Sequence, residues 1–288
     1  MRVMRSLRAV AGVLVLATTT VPPARSDDGL EGVRAFRVCE DPNNLPFSNQ
    51  AQEGLENRIA KILAAGMNLP LEHFWYPQRV NFVRNTLRYK LPGDAEFRCD
   101  VMLGVPAGFD QVATTRPYYH STYALVYVKG RKLDGVGSAE DFIARATTAR
   151  DDITIGLYDR SPATQWVTKH RLNEQSIPYR ILNADPEHYP GQIIEKDLMS
   201  GKIDAAIVWG PIAGFFAKRA PEPGLTVIPL RSEPGVKFDY GMAMGVRHGE
   251  PAWRDAIQAQ LDARAPEIEA VLREFGVPLV DANGQPRL

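Results

Sequence analysis

Five histidines, His73, His120, His170, His188 and His248, are scattered through the 288 residues without the paired spacing that holds a metal ion. Glu40 and Asp41 are adjacent and run into the turn Asp41-Pro42-Asn43-Asn44, where an Asp caps backbone rather than exchanging protons. There is no Gly-x-Ser-x-Gly elbow, and Gly201-Lys202 lacks the glycines that would make a phosphate loop. No nucleophile, acid–base pair or metal set is assembled, so the chain is not expected to be an enzyme, and no cofactor is expected. The residues left for chemistry are recognition groups: Phe47, Trp75, Tyr76, Phe109, Tyr118, Tyr119, Tyr158 and Trp209, interleaved with amides and a few arginines. Phe47, Tyr118, Tyr119 and Trp209 fall on turn-rich stretches and are expected to face a cleft, where aromatics suit an apolar ligand or a segment of another protein.

Those loops need a frame, and the hydrophobic pattern supplies one. Residues 35–54 read as a short strand with Phe36, Val38 and Cys39, then a polar loop carrying Asn43, Asn44 and Phe47. A helix follows with Leu55, Ile59, Ile62 and Leu63 on one face and Gly66 at its stop. Ligands of open α/β sheets sit at such strand-to-helix loops. A strand over 71–76, a helix over 81–89 and a buried strand over 99–105 complete three strands alternating with two helices, half of a doubly wound unit.

The segment 107–119 is broken by Pro117 and leads to an extended run over 122–128. A second αβ series begins with the capping box Ser138-Ala139-Glu140-Asp141. It continues with a strand at 153–157, a helix opened by Ser161-Pro162, strands at 179–182 and 203–208 around a helix at 192–200, and the turn Trp209-Gly210-Pro211. A short helix to 219 and a strand at 225–230 follow. A second extended run at 238–246 returns the chain to a closing helix pair. The pattern predicts an α/β protein of two lobes, each with a doubly wound sheet. Lobe 1 is discontinuous, 34–121 with 240–288; lobe 2 is 122–239; two extended crossovers make the hinge.

Composition limits the partners. Basic and acidic residues balance, 34 against 34, which argues against nucleic-acid binding or a polybasic membrane surface. Arg2, Arg5 and Arg8 precede an apolar stretch over 9–20, and Ala24-Arg25-Ser26 has the small-x-small form of a cleavage site. Residues 1–26 therefore read as a signal peptide, with the mature chain starting at Asp27 and an uncleaved anchor as the alternative. The protein is expected to be periplasmic, without membrane insertion. Cys39 and Cys99 are the only cysteines. An oxidising compartment favours a disulfide between them; two buried core thiols at different heights of the sheet remain the alternative.

Five strings in order resemble one family. They are Arg-Val-Cys-Glu-Asp-Pro-Asn-Asn-Leu-Pro-Phe-Ser-Asn at 37–49, Tyr-Pro-Gln-Arg-Val-Asn-Phe-Val-Arg-Asn-Thr-Leu at 76–87, Cys-Asp-Val-Met-Leu-Gly-Val-Pro-Ala-Gly-Phe-Asp at 99–110, Thr-Thr-Arg-Pro-Tyr-Tyr-His-Ser-Thr-Tyr at 114–123 and Ala-Ile-Val-Trp-Gly-Pro-Ile-Ala-Gly at 206–214. The whole mature chain resembles a type 2 periplasmic solute-binding protein, and the strings resemble the methanol-oxidation J proteins, MxaJ and XoxJ. That resemblance implies a periplasmic accessory that binds a pyrroloquinoline-quinone (PQQ) methanol dehydrogenase, XoxF-type or MxaF-type. The accessory would aid the enzyme's maturation or activation; the dehydrogenase's cytochrome is a further candidate partner. The alternative is a substrate-binding subunit of an ABC transporter for a small solute.

Amino-acid-binding relatives of this fold place an Arg in the loop after the third strand and an Asp after the strand matching 206–208. Here the loop reads Gly108-Phe109-Asp110-Gln111-Val112, and Trp209-Gly210 stands at the second place. Arg79 or Arg116 is the substitute clamp the sequence offers. The candidate cleft residues are thus Asn43, Asn44, Phe47, Arg79, Arg116, Tyr118, Tyr119, Ser161 and Trp209.

Overall fold

The computed structural model describes residues 30, 32–78, 80–150, 152–181, 185 and 187–287. The expected signal peptide and Arg79 lie outside the described residues.

Lobe 1 is built on β1 (Phe36–Glu40), which pairs in parallel with β4 (Leu71–Trp75) and, through Val38, with Val101. Between β1 and the helix α1 (Leu55–Gly66), the two-residue strands β2 (Asn43–Asn44) and β3 (Ser48–Asn49) fold the loop onto itself. Phe36, Val38, Leu55, Ile59 and Leu63 are all fully buried, because the apolar face of α1 lies on the sheet. β5 (Met102–Pro106) pairs antiparallel with β12 (Asp239–Val246), which also takes the short β6 (Ala113–Thr114). The helix pair α6 (Pro251–Ala263) and α7 (Ala265–Glu274) closes this lobe, with Trp253 tilted against Phe36 at 5.7 Å.

β7 (Tyr119–Val128) passes from one sheet to the other. Its first residues pair with β12, Ser121 opposite Tyr240 and Thr122 opposite Asp239. Its later residues pair with β10 (Ala205–Trp209) and β11 (Leu225–Pro229), so the two crossovers are hydrogen-bonded side by side as a hinge. Lobe 2 continues with β8 (Ile155–Tyr158) parallel to β10, and β9 (Ser176–Tyr179) parallel to β8. Besides the helix at 193–198, three helices cover it. α3 (Ala139–Thr148) starts at Ser138, whose hydroxyl accepts from Asp141 N–H at 3.0 Å; α4 is Pro162–Lys169 and α5 is Gly210–Arg219. Ala124, Val126, Ala206 and Val208 are fully buried, as strands covered on both faces must be. At the rear of the junction α5 crosses the end of α7 so closely that a Cβ on Gly214 would stand 1.8 Å from the Gly276 carbonyl oxygen.

Three local expectations change. The helix expected over 81–89 is a single turn, α2 (Phe82–Asn85). Asn81 enters it in the left-handed region at φ 66°, and Thr86 leaves helical geometry while its hydroxyl bonds the Phe82 carbonyl at 2.7 Å. The strand expected over 179–182 is β9, three residues earlier; it is an edge strand, where Pro178 breaks no inner ladder. The helix at 193–198 has wide turns closed five residues back, as in Met199 N–H to Ile194 O. Cys39 and Cys99 are disulfide-bonded with Cα atoms 5.4 Å apart. The argument from different heights fails because the Cys39 N–H bonds the Val101 carbonyl at 2.8 Å, which sets the two chains level.

Candidate functional site

The cleft forms where the loop after β1, the entry to β5 and the end of β10 meet. Its lobe 1 wall is the 41–54 loop, which side-chain hydrogen bonds hold in addition to the short β2–β3 pairing. Asp41 accepts from the N–H groups of Asn43 and Gln78, tying the loop to the chain beyond β4. Asn44 Nδ2 donates to Gln78 Oε1 at 3.0 Å. Asn57, in the first turn of α1, is buried and accepts from Gly54 N–H at 2.9 Å and Asn49 N–H at 3.2 Å. Gly54 has to be a glycine, since a Cβ would come to 2.0 Å from the Phe47 carbonyl oxygen. These contacts leave Asn43, Asn44 and Phe47 on the cleft.

The lobe 2 wall is aromatic. Trp209 ends β10 and packs edge-on to Tyr123 of β7 at 5.4 Å and 61°, and to Tyr240 of β12 at 6.0 Å and 70°. Two cavities, of about 280 Å³ and about 190 Å³, share Asn44, Phe47, Gln78, Tyr123 and Trp209 and form one cleft between the lobes. Glu56, Leu103, Gly104 and Met242 floor the first; Tyr158, Ile181, His188 and Ile212 bound the second.

Of the residues singled out in the sequence, the structure brings Asn43, Asn44, Phe47 and Trp209 to this cleft. It places Arg116 outside, where its guanidinium pairs with Asp262 of α6 at 2.6 Å in an exposed ion pair. Tyr118 and Tyr119 are not rim residues: their hydroxyls are buried and their rings pack edge-to-face at 4.9 Å beneath the floor. Ser161 is buried, and its hydroxyl donates to the Tyr158 carbonyl at 2.6 Å, a local cap instead of an open ligand group. Phe109 packs half-buried on the cluster around the disulfide, and Trp75 stacks on His73 at 4.9 Å. His73 in turn bonds buried Glu40, Nδ1 to Oε2, at 2.5 Å.

The sequence reading missed Glu56, Gln78, Tyr123 and Tyr240. Glu56 looked like an ordinary first-turn acid of α1; the available signal was that it follows the ligand-side loop directly. Tyr123 and Tyr240 were legible as hinge residues, and being beside a hinge puts alternate side chains at the cleft. The Glu56 carboxyl is half-buried and pushed up to about 8, by burial first and then by the charges of Glu40 and Asp41. Among the described residues no group of three His, Cys, Asp or Glu side chains could hold a metal ion, and no helix is long and apolar enough to cross a membrane.

No family model matches the chain. Solved structures and curated proteins do resemble it. The crystal structure of periplasmic binding protein XoxJ from Methylobacterium extorquens AM1 is 34% identical, covers 85% of this chain and 99% of its own, and superposes with a TM-score of 0.67. MxaJ from Methylophaga aminisulfidivorans MPT is 27% identical over 85% of this chain and 100% of its own, with a TM-score of 0.69. Protein MoxJ of Paracoccus denitrificans is 27% identical over 96% of this chain and 98% of its own length. With the two-lobe α/β architecture and its hinge, these likenesses show that the chain belongs to the family of MoxJ, MxaJ and XoxJ, proteins built on the periplasmic solute-binding fold.

Proposed function

We propose that the protein is a non-catalytic periplasmic accessory of a PQQ-dependent methanol dehydrogenase, which it binds through the cleft and helps to mature or activate. The observation that carries this reading is the lining of the cleft. Asn43, Asn44, Phe47, Gln78, Tyr123 and Trp209 offer amides and aromatics from both lobes, the composition of an interface core. The described lining offers no arginine for an amino-acid carboxylate. Ile181, which lines the second cavity, adds an exposed apolar side chain there, 47% accessible.

Two lobes, 34–121 with 240–288 and 122–239, closing about the β7–β12 pair would grip a segment of the dehydrogenase. Such grip helps the partner only if one of its states is held more tightly than the other. The protein reaches this partner after export, so that its mature form begins near Asp27.

The test mixes the purified mature protein with the methanol dehydrogenase of the same genome and measures binding, turnover and PQQ and metal occupancy. Saturable binding with a change in occupancy or turnover is the expected result. No binding and no change would end this reading. A saturable calorimetric response to a free amino acid near 1 μM, about −8 kcal/mol, would replace it with solute transport.

A further inference from the structure

The carboxyl groups of the cleft are unequally used. Asp41 accepts two backbone N–H groups. Glu56 is different: none of the described residues donates a hydrogen bond to its carboxylate, and the charges that face it, Glu40 and Asp41, have its own sign. The carboxyl lies against the bare Cα of Gly104, where a Cβ would stand 2.1 Å from Oε1. In the same cavity stand Trp209, Tyr123 and Tyr240, with successive ring planes inclined by 61° and 70°. Steeply inclined aromatic walls beside a carboxylate are the means by which proteins hold organic cations.

The cleft does not offer the opposite chemistry. Its described lining contains no lysine or arginine. The first amides of α1, which could have taken an anion, are occupied: Leu55 N–H by Pro46 O, Glu56 N–H by Phe47 O, and Gly54 N–H by Asn57 Oδ1.

We propose that the cleft is a cation pocket, in which an ammonium or guanidinium group lies against Trp209, Tyr123 and Tyr240 and takes Glu56 as its counter-charge. The cation is a Lys or Arg side chain of a bound protein segment or a small free amine; the chemistry is shared, and the site stands whether or not the dehydrogenase is the partner.

A proton moves when the site fills. The empty Glu56 carboxyl, pushed up to about 8, carries a proton at pH 7. Facing it are Glu40 and Asp41 from the end of β1 and the hydroxyls of Tyr118 and Tyr119 at the start of β7. Both tyrosines are pushed upward by burial and stay neutral over the working range. β5, which lines the same cavity with Leu103, Gly104 and Pro106, contributes no titratable side chain. An arriving cation expels the proton, so affinity rises close to tenfold per pH unit up to about pH 8 and then levels off.

Calorimetry on the mature protein tests this with butylammonium, tetramethylammonium, Nα-acetyl-lysine amide and Nα-acetyl-arginine amide, against 1-pentanol and 3,3-dimethylbutanol as uncharged counterparts. Titrations run at pH 7 in two buffers of different ionisation enthalpy, which reads proton release directly on the unaltered protein. The expected result is one site, release of about one proton, and alcohols bound at least tenfold more weakly. Glu56→Gln should abolish the proton release and weaken the cation at least tenfold, and Trp209→Leu should weaken it without changing the proton count. Blocked amino-acid amides binding tighter than the simple amines assigns the source to a protein segment, and the reverse assigns it to a free amine. Equal binding of alcohol and amine, binding without proton release, or no heat with any cation up to about 20 mM overturns the proposal.

Discussion

In each lobe the chain leaves the second strand of the sheet and returns as the third, and the two returns are held differently. In lobe 1 the return lies between β4 and β5. It is crosslinked to β1 by Cys39–Cys99 and pinned by Arg247, whose guanidinium donates to the carbonyls of Leu87 at 2.9 Å and Cys99 at 2.6 Å and pairs with Asp100 at 2.5 Å. Asp100 also holds Arg37 at 2.5 Å, while Phe97 lies under the Arg247 guanidinium at 4.1 Å. In lobe 2 the described part of the return, between β9 and β10, is held by single hydrogen bonds within the lobe. Ile181 N–H donates to Asp159 at 2.8 Å, the Tyr158 hydroxyl donates to Pro190 O at 2.8 Å, and His188 bonds Gln192 at 3.0 Å. Both returns reach the cleft, through Gln78 on one side and Ile181 and His188 on the other. Lobe 1 thus presents a fixed reference, and lobe 2 an edge whose contacts are local enough to adjust to what binds.

The comparison breaks most visibly at the disulfide. Cys39→Ser with Cys99→Ser opens a loop spanning 60 residues in sequence, and loop-closure entropy puts the loss at about 4 kcal/mol. Chemical unfolding should show it, and an unchanged midpoint would mean the lobe 1 return is fixed by packing alone. Next comes Arg247→Leu. It strands Asp100 beside a single arginine and leaves two carbonyls without their donor, a cost of about 3 kcal/mol by the same measurement.

How much of this was legible in the sequence depends on what fixes each piece. β1, α1, β7, β10 and the closing helices were readable because their apolar periodicity is also their burial: Phe36, Leu55, Ile59, Val126 and Ile257 are core residues. The hinge was readable from two extended crossovers. The 81–89 helix was not, because its pattern of Val83 and Leu87 is helical while the backbone is set by Asn81, Thr86 and the distant Arg247. At the site, Asn44, Phe47 and Trp209 were readable as loop residues at strand ends. Arg116, Tyr118 and Tyr119 carry the same chemistry in an equally turn-rich stretch. Only the β7–β12 register, Tyr119 opposite Met242, decides that the two tyrosines turn under the floor and the arginine outward to α6. Glu56 escaped because its character comes from neighbours distant in sequence, Gly104 above all.

On the lobe 1 floor a third change is read through pH. The folded carboxyl of Glu56 is raised, so the folded state holds a proton that the unfolded chain releases near pH 4.5. Stability from this group is fully present below that value and is lost as pH rises toward about 8. Glu56→Gln keeps the shape of the protonated side chain and cannot ionise. It should flatten the decline in melting temperature between pH 5 and 8 and leave the variant more stable than the parent at pH 8, by on the order of 2 kcal/mol once solvent screening is allowed for. Parallel pH curves for the two proteins would count against a raised carboxyl.

The smallest effect on stability belongs to the lobe 2 edge. Ile181 is 47% exposed, and only its backbone N–H is committed to Asp159. Ile181→Ser therefore gives up little buried area and should change the unfolding free energy by less than about 0.5 kcal/mol. If lobe 2 is the edge that adapts to the occupant, the same substitution should still weaken dehydrogenase binding severalfold, because burying this side chain against a partner contributes about 1.5–3 kcal/mol at most. Gln78→Ala, on the fixed side, removes the bond to Asn44 and should disturb the 41–54 loop in the free protein as well. Amide exchange of the two variants, with and without the partner, separates these cases: protection should change in the free state for Gln78→Ala and only in the complex for Ile181→Ser. The opposite pattern would exchange the roles assigned to the two lobes.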